Sequence, residues 1–442
     1  MIEGKRHFDD IGLHVPTLLL PRPDIDLTKW AVIACDQYTS QPEYWEQVAE
    51  IVGTSPSTFH LVLPEVYLET PHGERLIHKI NRTMQEYLAQ GILVEYGPGF
   101  VLIDRITSHG ISRKGLLVAL DLEQYDYARD AQTIIRATEG TVLERLPPRI
   151  HVRKKACLEI PHIMVLIDDP EHTVIEPLFR HAFPKLYDAP LMLGGGHVKG
   201  YGVTDPVIIE EIATALRALA GTRQHPLLYA IGDGNHSLAA AKMLWETIKK
   251  TVPDPELVSE HPARYALVEL VNIHDGGLAF EPIHRILFNV GFQATAKAMR
   301  DFYRRQGSGF SMAACDGFDA LKQRIREERH ENRHCFGCIS EHAYSIITVT
   351  NPPYNLEAET LQVFLDTFIA RHYDVKIDYI HGDDTLEKIG VQPGNIGFYL
   401  PPIDKHSFFT TIMLDGALPR KTFSMGDAND KRFYLECRKI IP

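Results

Sequence analysis

The order of apolar and polar residues along the chain predicts strands and helices that interleave. Residues 92–122 contain three apolar runs separated by glycine-containing turns, which is typical of neighbouring strands. Residues 356–373 place Leu361, Leu365 and Phe368 at the spacing of a core-facing helix. Because strands and helices do not alternate strictly, the pattern favours a mixed α+β fold over a doubly wound parallel sheet.

The remaining elements follow from the same patterns. Further helices are predicted over residues 43–52, 74–90, 237–250, 295–306, 316–329 and 405–415, with another beginning at Pro206. Further strands are predicted over residues 31–35, 162–169, 227–231, 265–272, 335–350, 421–425 and 432–436. Two stretches lack such a pattern: residues 133–156 are predicted to be irregular, and residues 194–202 to form a glycine-rich loop.

The length of the chain allows more than one domain. A chain of 442 residues is long enough for roughly two to three domains. The character of the sequence changes near residue 290. We therefore predict an amino-terminal α+β domain over residues 1–290 and a carboxy-terminal α+β portion over residues 291–442 that packs against it.

The sharpest local pattern is a strand that runs into a helix through two glycines. The apolar run 227–231 breaks at Gly232-Asp233-Gly234, and an alanine-rich helix follows. This arrangement aims backbone N–H groups at one point, where the helix dipole favours an anion. Asp233 and His236 add groups for acid/base or metal chemistry, so the segment predicts a phosphate or carboxylate cradle. The alternative is a tight turn with an Asp or Asn cap, and the spacing alone does not decide between them.

Composition and charge restrict the classes of function. Hydrophobic residues at 44% and charged residues at 24% are ordinary for a soluble globular protein. The formal net charge of −12 argues against a nucleic-acid-binding surface. No apolar run approaches the length that spans a bilayer, and the first residues, MIEGKRHFDD, lack the apolar stretch of a signal peptide. We expect a cytoplasmic protein that acts on a small molecule; the sequence indicates no oligomeric state.

The cysteines raise the question of a metal or redox site. Cys335 and Cys338 form a C-x-x-C motif, with His334 before it and His342 after it. Zinc would require a second ligand pair at comparable spacing, and a redox motif would be expected at a helix amino terminus. The motif instead falls on a predicted strand. We therefore favour a structural origin for it and predict no metal site.

Five separated segments resemble a known family when they are taken in order. They are ACDQYTSQPEYW, RATEGTVLERLPPR, GDGNHS, EPIHRIL and LPRKTFSM. Together they resemble the bacterial and archaeal group known as domain-of-unknown-function family 1015, and the resemblance runs nearly end to end. That family is distantly similar to the ParB/sulfiredoxin superfamily, which includes kinases that phosphorylate free serine.

The resemblance implies both a fold and an activity. The implied fold is a mixed-sheet core of ParB/sulfiredoxin type with large insertions. The implied activity is phosphoryl transfer from ATP, ADP or pyrophosphate, with Mg²⁺ as a possible partner, to a small hydroxyl-bearing metabolite such as free serine. Two alternatives stay open, because related folds host different functions. One is a phosphate-ester hydrolase, and the other is a nucleotide-binding regulator without catalysis.

The chain departs from the family pattern at Ser237. Members often carry an arginine at this place, and a guanidinium can hold a phosphate with two hydrogen bonds whereas serine cannot. Another cation must then bind the donor, or the ligand differs. Lys199, Arg285 and Lys421 are the candidates for that cation.

Candidate site residues follow from the cradle and the resemblance. The candidate catalytic residues are Asp36, Glu139, Asp233 and His236. The candidate phosphate- or nucleotide-binding residues are Gly232, Gly234, Asn235, Ser237, Lys199, His284 and Arg285. A carboxylate at a strand end suits a general base, and carboxylate oxygens suit Mg²⁺. The alternatives are structural: a turn at Asp36, a surface charge at Glu139, and an ion pair involving His284 and Arg285.

Overall fold

The chain divides into two compact units. The computed structural model describes residues 5–221, 226–252, 254–330, 332–341, 343–419 and 421–442. The first unit comprises Met1–Leu278 together with Met425–Pro442, and the second comprises Ala279–Ser424. The carboxy-terminal segment thus returns to the first unit. Division into independently folding domains at residue 290 stays a prediction.

The strands and helices are numbered in chain order. The strands are β1 (His7–Phe8), β2 (Leu13–His14), β3 (Leu18–Pro21), β4 (Leu93–Tyr96), β5 (Phe100–Ile106), β6 (Ser112–Asp121), β7 (Tyr125–Asp126), β8 (Ile135–Ala137), β9 (Leu158–Glu159), β10 (Met164–Ile167), β11 (Lys185–Pro190), β12 (His197–Val203), β13 (Tyr229–Asp233), β14 (Tyr265–Asn272), β15 (Phe280–Pro282), β16 (His284–Phe288), β17 (Gly309–Cys315), β18 (Arg333–Ser340), β19 (Ala343–Thr350), β20 (Lys376–Ile380), β21 (Asn395–Tyr399), β22 (Phe423–Met425) and β23 (Arg438–Lys439). The helices are α1 (Leu27–Trp30), α2 (Pro42–Val52), α3 (Pro71–Ala89), α4 (Leu146–Arg153), α5 (Pro206–Ala220), α6 (Asn235–Thr251), α7 (Pro255–Ser259), α8 (Phe292–Arg305), α9 (Phe318–Glu328), α10 (Glu357–Ile369), α11 (Asp383–Gly390) and α12 (Lys405–Asp415).

A large mixed sheet forms the centre of the first unit. Its strand order is β11-β12-β5-β6-β14-β10-β13-β8-β7, with β1 and β2 joined through β6. Strand β10 is parallel to β14, β13 is parallel to β8, and β10 and β13 are antiparallel. The predicted α+β class with a mixed sheet is therefore confirmed.

Both faces of this sheet are buried. Successive side chains of a strand point to opposite faces, and in β5 Val101 and Ile103 join one apolar cluster while Phe100 and Leu102 join another. Helix α5 packs in the second of these clusters. It begins as predicted, with Pro206 in its first turn and the Asp205 side chain accepting a hydrogen bond from the Val207 amide.

Four predicted segments differ from the structure. Residues 197–203 form strand β12 rather than part of a glycine-rich loop, because glycines at 200 and 202 leave room for the rings of Tyr187 and Tyr96. Residues 133–156 are not irregular, since they contain β8 and α4. Residues 31–35 and 432–436 do not form extended strands; a single bridge joins Ile33 to Phe433 instead.

The carboxy-terminal segment is built into the first unit through buried charges. Arg432 is 4% exposed and forms ion pairs with Glu269 and with Glu436. Glu436 also accepts a hydrogen bond of 2.5 Å from the Tyr187 hydroxyl. A buried charge is tolerated only with partners of this kind, so these contacts fix the path of the segment.

The second unit contains an antiparallel sheet with the order β17-β19-β18-β21-β16-β20. Cys335 and Cys338 both lie in β18, and both are buried as free thiols. Residues three apart on a strand point to opposite faces, and the two side chains belong to different apolar clusters. The C-x-x-C motif therefore does not bring its two sulfurs together, which supports its structural origin.

Candidate functional site

The carboxyl end of β13 and the amino end of α6 form a turn that we call the α6 turn (residues 232–237). Gly234 is the residue before the helix and has φ +79°, a conformation that favours glycine. No side chain caps the helix, and the first backbone bond within it runs from the Leu238 amide to the Gly234 carbonyl. In the part of the chain that the structure describes, the amides of Asn235, His236 and Ser237 have no hydrogen-bond partner.

Asp233 does not cap the helix. One of its carboxylate oxygens accepts a hydrogen bond of 2.9 Å from the Gly234 amide. The other lies 3.3 Å from Nζ of Lys431, a residue that is 7% exposed. The negative charge of Asp233 is therefore balanced within the protein, which leaves the helix amides uncapped.

His236 is neutral at physiological pH. Its Nε2 accepts a hydrogen bond of 3.2 Å from the Val142 amide, so the proton of the neutral ring is on Nδ1. Burial, and then the positive charges of Arg149 and Arg145, lower the pKa of His236 to about 4. His236 can thus donate a hydrogen bond to a ligand, but it supplies no positive charge.

Helix α4 packs against α6 and contributes the guanidinium of Arg149 to the region of the α6 turn. Arg149 donates through Nη1 to the Arg145 carbonyl at 2.7 Å and pairs through Nη2 with the carboxylate of Glu65. Burial raises the pKa of Glu65, while the Arg149 charge opposes that rise. Among the positive charges that lower the pKa of His236, that of Arg149 has the largest effect. The α6 turn therefore lies in the field of a fixed cation.

Asp36 lies at the same edge of the sheet. Its Oδ2 is 3.7 Å from Nε2 of His162, which lies two residues before β10, and its Oδ1 accepts a hydrogen bond of 3.0 Å from the side-chain amide of Gln37. The Asp36 charge acts on His236 and on Glu65, so these side chains are neighbours. The Asp36 side chain is 23% exposed, which leaves it accessible to a ligand.

Glu139 lies in a loop that is hydrogen-bonded to β13 on one side and to the α6 turn on the other. The Thr138 hydroxyl donates to the Ile231 carbonyl at 2.5 Å, and the Val142 amide donates to His236. Because β8 and β13 are parallel, their carboxyl ends meet at one edge. The structure thus gathers Asp36, Glu139, Asp233 and His236 at one edge.

Other predicted residues do not lie at the α6 turn. Lys199 is in β12, opposite Asp104 of β5 and Asp188 of β11 in the register of the sheet, and β5, β6, β14 and β10 separate β12 from β13. His284 and Arg285 belong to the second unit, as does Lys421. His284 hydrogen-bonds within that unit to the Asp383 carboxylate and the Leu400 amide, both at 3.1 Å.

Arg285 and Lys421 also make contacts within the second unit. Arg285 is fully buried and donates to Oε1 of Gln362 at 3.0 Å. Lys421 places its Nζ 4.7 Å from the centre of the Tyr379 ring. The binding roles of His284 and Arg285, and the structural alternative of an ion pair, therefore both stay predictions.

Sequence reasoning missed four residues of the first-unit cluster. They are Glu65, Arg149, His162 and Lys431. His162 is the first residue of the predicted strand 162–169, and a polar residue at a strand end was a usable signal, because connections next to strands commonly carry site residues. Arg149 was hidden by the proline pair before it, which suggested an irregular segment.

Metal ligands can be assessed from the described residues. One group of side chains there, His109, Asp427 and Asp430, places its ligand atoms within 4.8 Å of one another. Asp430 already accepts hydrogen bonds from the amide and the hydroxyl of Ser108 at 3.1 and 2.8 Å.

No described helix has both the length and the apolar character needed to cross a membrane.

The fold and the edge cluster define an α+β protein in which a strand runs into a helix that no side chain caps. Residues 19–368 match the model of the DUF1015 family, described as a protein of unknown function, and the chain belongs to that family. No curated protein matches it.

Solved structures resemble the chain weakly. A free serine kinase in complex with AMP is 10% identical with a TM-score of 0.37, covering 74% of this chain and 91% of its own. A conserved hypothetical protein from Pyrococcus furiosus is 12% identical with a TM-score of 0.35, covering 72% and 90%. SbnI from Staphylococcus aureus is 9% identical with a TM-score of 0.34, covering 70% and 82%. Activity and site residues must therefore be argued from the chain itself.

Proposed function

We propose that the α6 turn binds the phosphates of a nucleotide or of pyrophosphate, and that the protein transfers a phosphoryl group to a small hydroxyl-bearing metabolite. The observation that carries the proposal is the set of uncapped amides at Asn235, His236 and Ser237, beside a fixed guanidinium. Backbone N–H groups at a helix amino end, together with the helix dipole, favour a bound anion.

The electrostatics of the turn support a phosphate over a cation. The amino end of a helix is equivalent to roughly half a positive charge, and the first turn of α6 contains no acidic residue. Nδ1–H of His236 adds one donor, and Arg149, although paired with Glu65, is the cation whose charge acts most strongly on His236. Arg149 is therefore our candidate for the cation that compensates for the serine at 237.

Two unsatisfied polar atoms at the turn also favour a ligand. Oδ1 of Asn235 and the hydroxyl of Thr141, the residue before Val142, are buried and have no hydrogen-bond partner among the described residues. Buried polar atoms are rarely left without partners. A ligand hydroxyl or an ordered water at the turn would satisfy them.

The carboxylate of Asp36 supplies the chemistry in this proposal. It accepts the proton of the acceptor hydroxyl while that oxygen attacks the phosphorus, and the bond from phosphorus to the leaving group of the donor breaks. A Mg²⁺ ion accompanying the donor would suit carboxylate oxygens such as those of Asp36 and Glu139. Replacement of Asp36 by Asn should lower turnover by about 10²- to 10⁴-fold.

The binding step is tested with substitutions at Ser237. Ser237→Asp places a carboxylate in the first turn of α6, where it stabilises the helix by roughly 0.3–1 kcal/mol and repels a phosphate. Ser237→Asn is the neutral control of the same size. We expect ADP or pyrophosphate to raise the melting temperature of the natural protein and of Ser237→Asn, and to leave Ser237→Asp unchanged. Equal shifts in all three proteins would refute binding at this turn.

The transfer step is tested by product analysis, with free serine as the first acceptor. Phosphoserine that forms only when serine and a donor are both present supports a kinase. Phosphate released equally without an acceptor supports the hydrolase instead. Binding without consumption of the nucleotide supports a regulator without catalysis.

We also infer that the protein works in the cytoplasm on a small molecule and not on nucleic acid. All six cysteines are free, as is usual in a reducing compartment. The net charge of −12 opposes binding to a phosphate backbone. Cell fractionation and a gel-shift experiment would check the two points.

A further inference from the structure

We propose that His162 is a positioning residue that orients the carboxylate of Asp36 for proton transfer. The role rests on the proposed function of Asp36 as the general base. His162 is 8% exposed and lies two residues before β10, so its ring is held at the edge where the α6 turn lies.

A chain of polar contacts leads from the backbone to Asp36. The Cys35 amide donates to the hydroxyl oxygen of Tyr434 at 3.1 Å, and that hydroxyl lies 2.8 Å from Nδ1 of His162. Nε2 of His162 lies 3.7 Å from Oδ2 of Asp36. Since Gln37 donates to Oδ1, both oxygens of the carboxylate have a fixed neighbour.

These contacts select one tautomer of His162. The Tyr434 hydroxyl already accepts from the Cys35 amide, and its own proton needs an acceptor. The Cys35 thiol is nearby, but burial raises its pKa, so it stays a neutral thiol, which is a weak acceptor. The imidazole Nδ1 is the better acceptor, which leaves the ring proton on Nε2, facing the Asp36 carboxylate.

The surroundings hold this arrangement in place. Tyr434 is 1% exposed, its amide donates to the Val32 carbonyl at 2.8 Å, and its ring meets that of His162 edge-on with centroids 5.7 Å apart. The charged groups that act on this cluster are the carboxylates of Asp36 and Glu65 and the guanidinium of Arg149. The contact at Nδ1 fixes the imidazole ring of His162 and so directs Nε2 toward Asp36. His162 can therefore position Asp36 without contacting the ligand itself.

The tautomer can be read without any knowledge of the reaction. With ¹⁵N-labelled histidine, long-range ¹H–¹⁵N spectra distinguish the two ring nitrogens, and His162→Gln identifies the resonances of His162. We expect Nε2 to carry the proton in the natural protein, and Tyr434→Phe to shift the Nδ1 resonance. A proton on Nδ1, or a spectrum unchanged by Tyr434→Phe, would overturn the proposal even if the proposed function holds.

The role in positioning is tested by comparing kcat and KM in variants of His162. Gln keeps an N–H donor where Nε2 stands, whereas Leu removes it; His274→Gln is the control, because His274 lies 2.8 Å from Asp168 at the opposite edge of the sheet. A residue that orients the base affects the chemical step and not donor binding, so His162→Leu should lower kcat by about tenfold with KM little changed, and His162→Gln should keep most of the activity. Equal losses of kcat in His162→Leu and His162→Gln, or no loss in either, would contradict the proposal. An absence of turnover in the natural protein would refute the proposed function and leave the spectroscopic test standing.

Discussion

Replacement of Gly234 by alanine should lower the free energy of unfolding of the first unit by more than the cost of placing alanine in a left-handed conformation. A non-glycine residue at φ +79° costs about 1–2 kcal/mol. A Cβ at this position would also stand 3.0 Å from Cγ1 and 3.1 Å from Cα of Ile163. The side chain can yield, but the Cα can move only with the backbone at the start of β10, and such overpacking costs about 1–3 kcal/mol. The expected total is therefore about 2–5 kcal/mol.

Gly91→Ala provides the matched control. Gly91 has φ +63° at the end of α3, where its amide donates to the Leu88 carbonyl and the Ile92 amide donates to the Tyr87 carbonyl, as in a left-handed helix cap. Its Cβ would meet no described atom within 4 Å, so only the conformational cost applies. Urea unfolding of both variants, compared at equal m-values, gives the two free energies. We expect Gly234→Ala to lose at least about 1 kcal/mol more than Gly91→Ala. Equal losses would show that the backbone of the α6 turn is not packed against Ile163.

Two further predictions concern buried charges. Burial, and then the Arg329 charge, lower the pKa of His334 to about 4. As the pH falls, the unfolded chain therefore protonates this imidazole before the folded protein does. The free energy of unfolding should decrease as the pH drops from about 6.5 toward 4, by up to about 3 kcal/mol. Unfolding free energies at several pH values should fall less steeply in His334→Gln; an unchanged slope would contradict this. Arg432→Met leaves two buried carboxylates without their partner and should cost about 3–5 kcal/mol, whereas Arg217→Met, which loses exposed pairs, should cost less than about 1 kcal/mol. Similar losses of unfolding free energy in the two variants would contradict the conclusion that the buried ion pairs of Arg432 stabilise the fold.

Local sequence patterns predicted the elements that have a regular spacing of apolar residues or a clear helix start. The spacing of apolar residues gave β14 and α12 with their observed bounds, and the Asp205–Pro206 pair marked the start of α5. Helix α4 was missed because residues 133–156 were predicted to be irregular, although the two prolines in the first turn of α4 are well tolerated at a helix start. Strand β12 was missed because its glycines resemble a loop, and only the tyrosine rings packed against them explain their presence.

The candidate site was predicted only in part for a similar reason. The α6 turn is a local pattern, so its residues could be identified from the sequence. Lys431 and Tyr434 reach this edge from a segment that is distant in sequence, and their positions depend on buried ion pairs such as that of Arg432. Contacts between distant segments have no local periodicity, and a single sequence does not reveal them.

A crystal structure of the protein with ADP or pyrophosphate would test the central claim most directly. The proposal predicts phosphate oxygens within about 2.7–3.2 Å of the amide nitrogens of Asn235, His236 and Ser237, with the Arg149 guanidinium turned toward the same phosphate. Phosphates bound elsewhere on the chain, with these amides contacting only water, would contradict it.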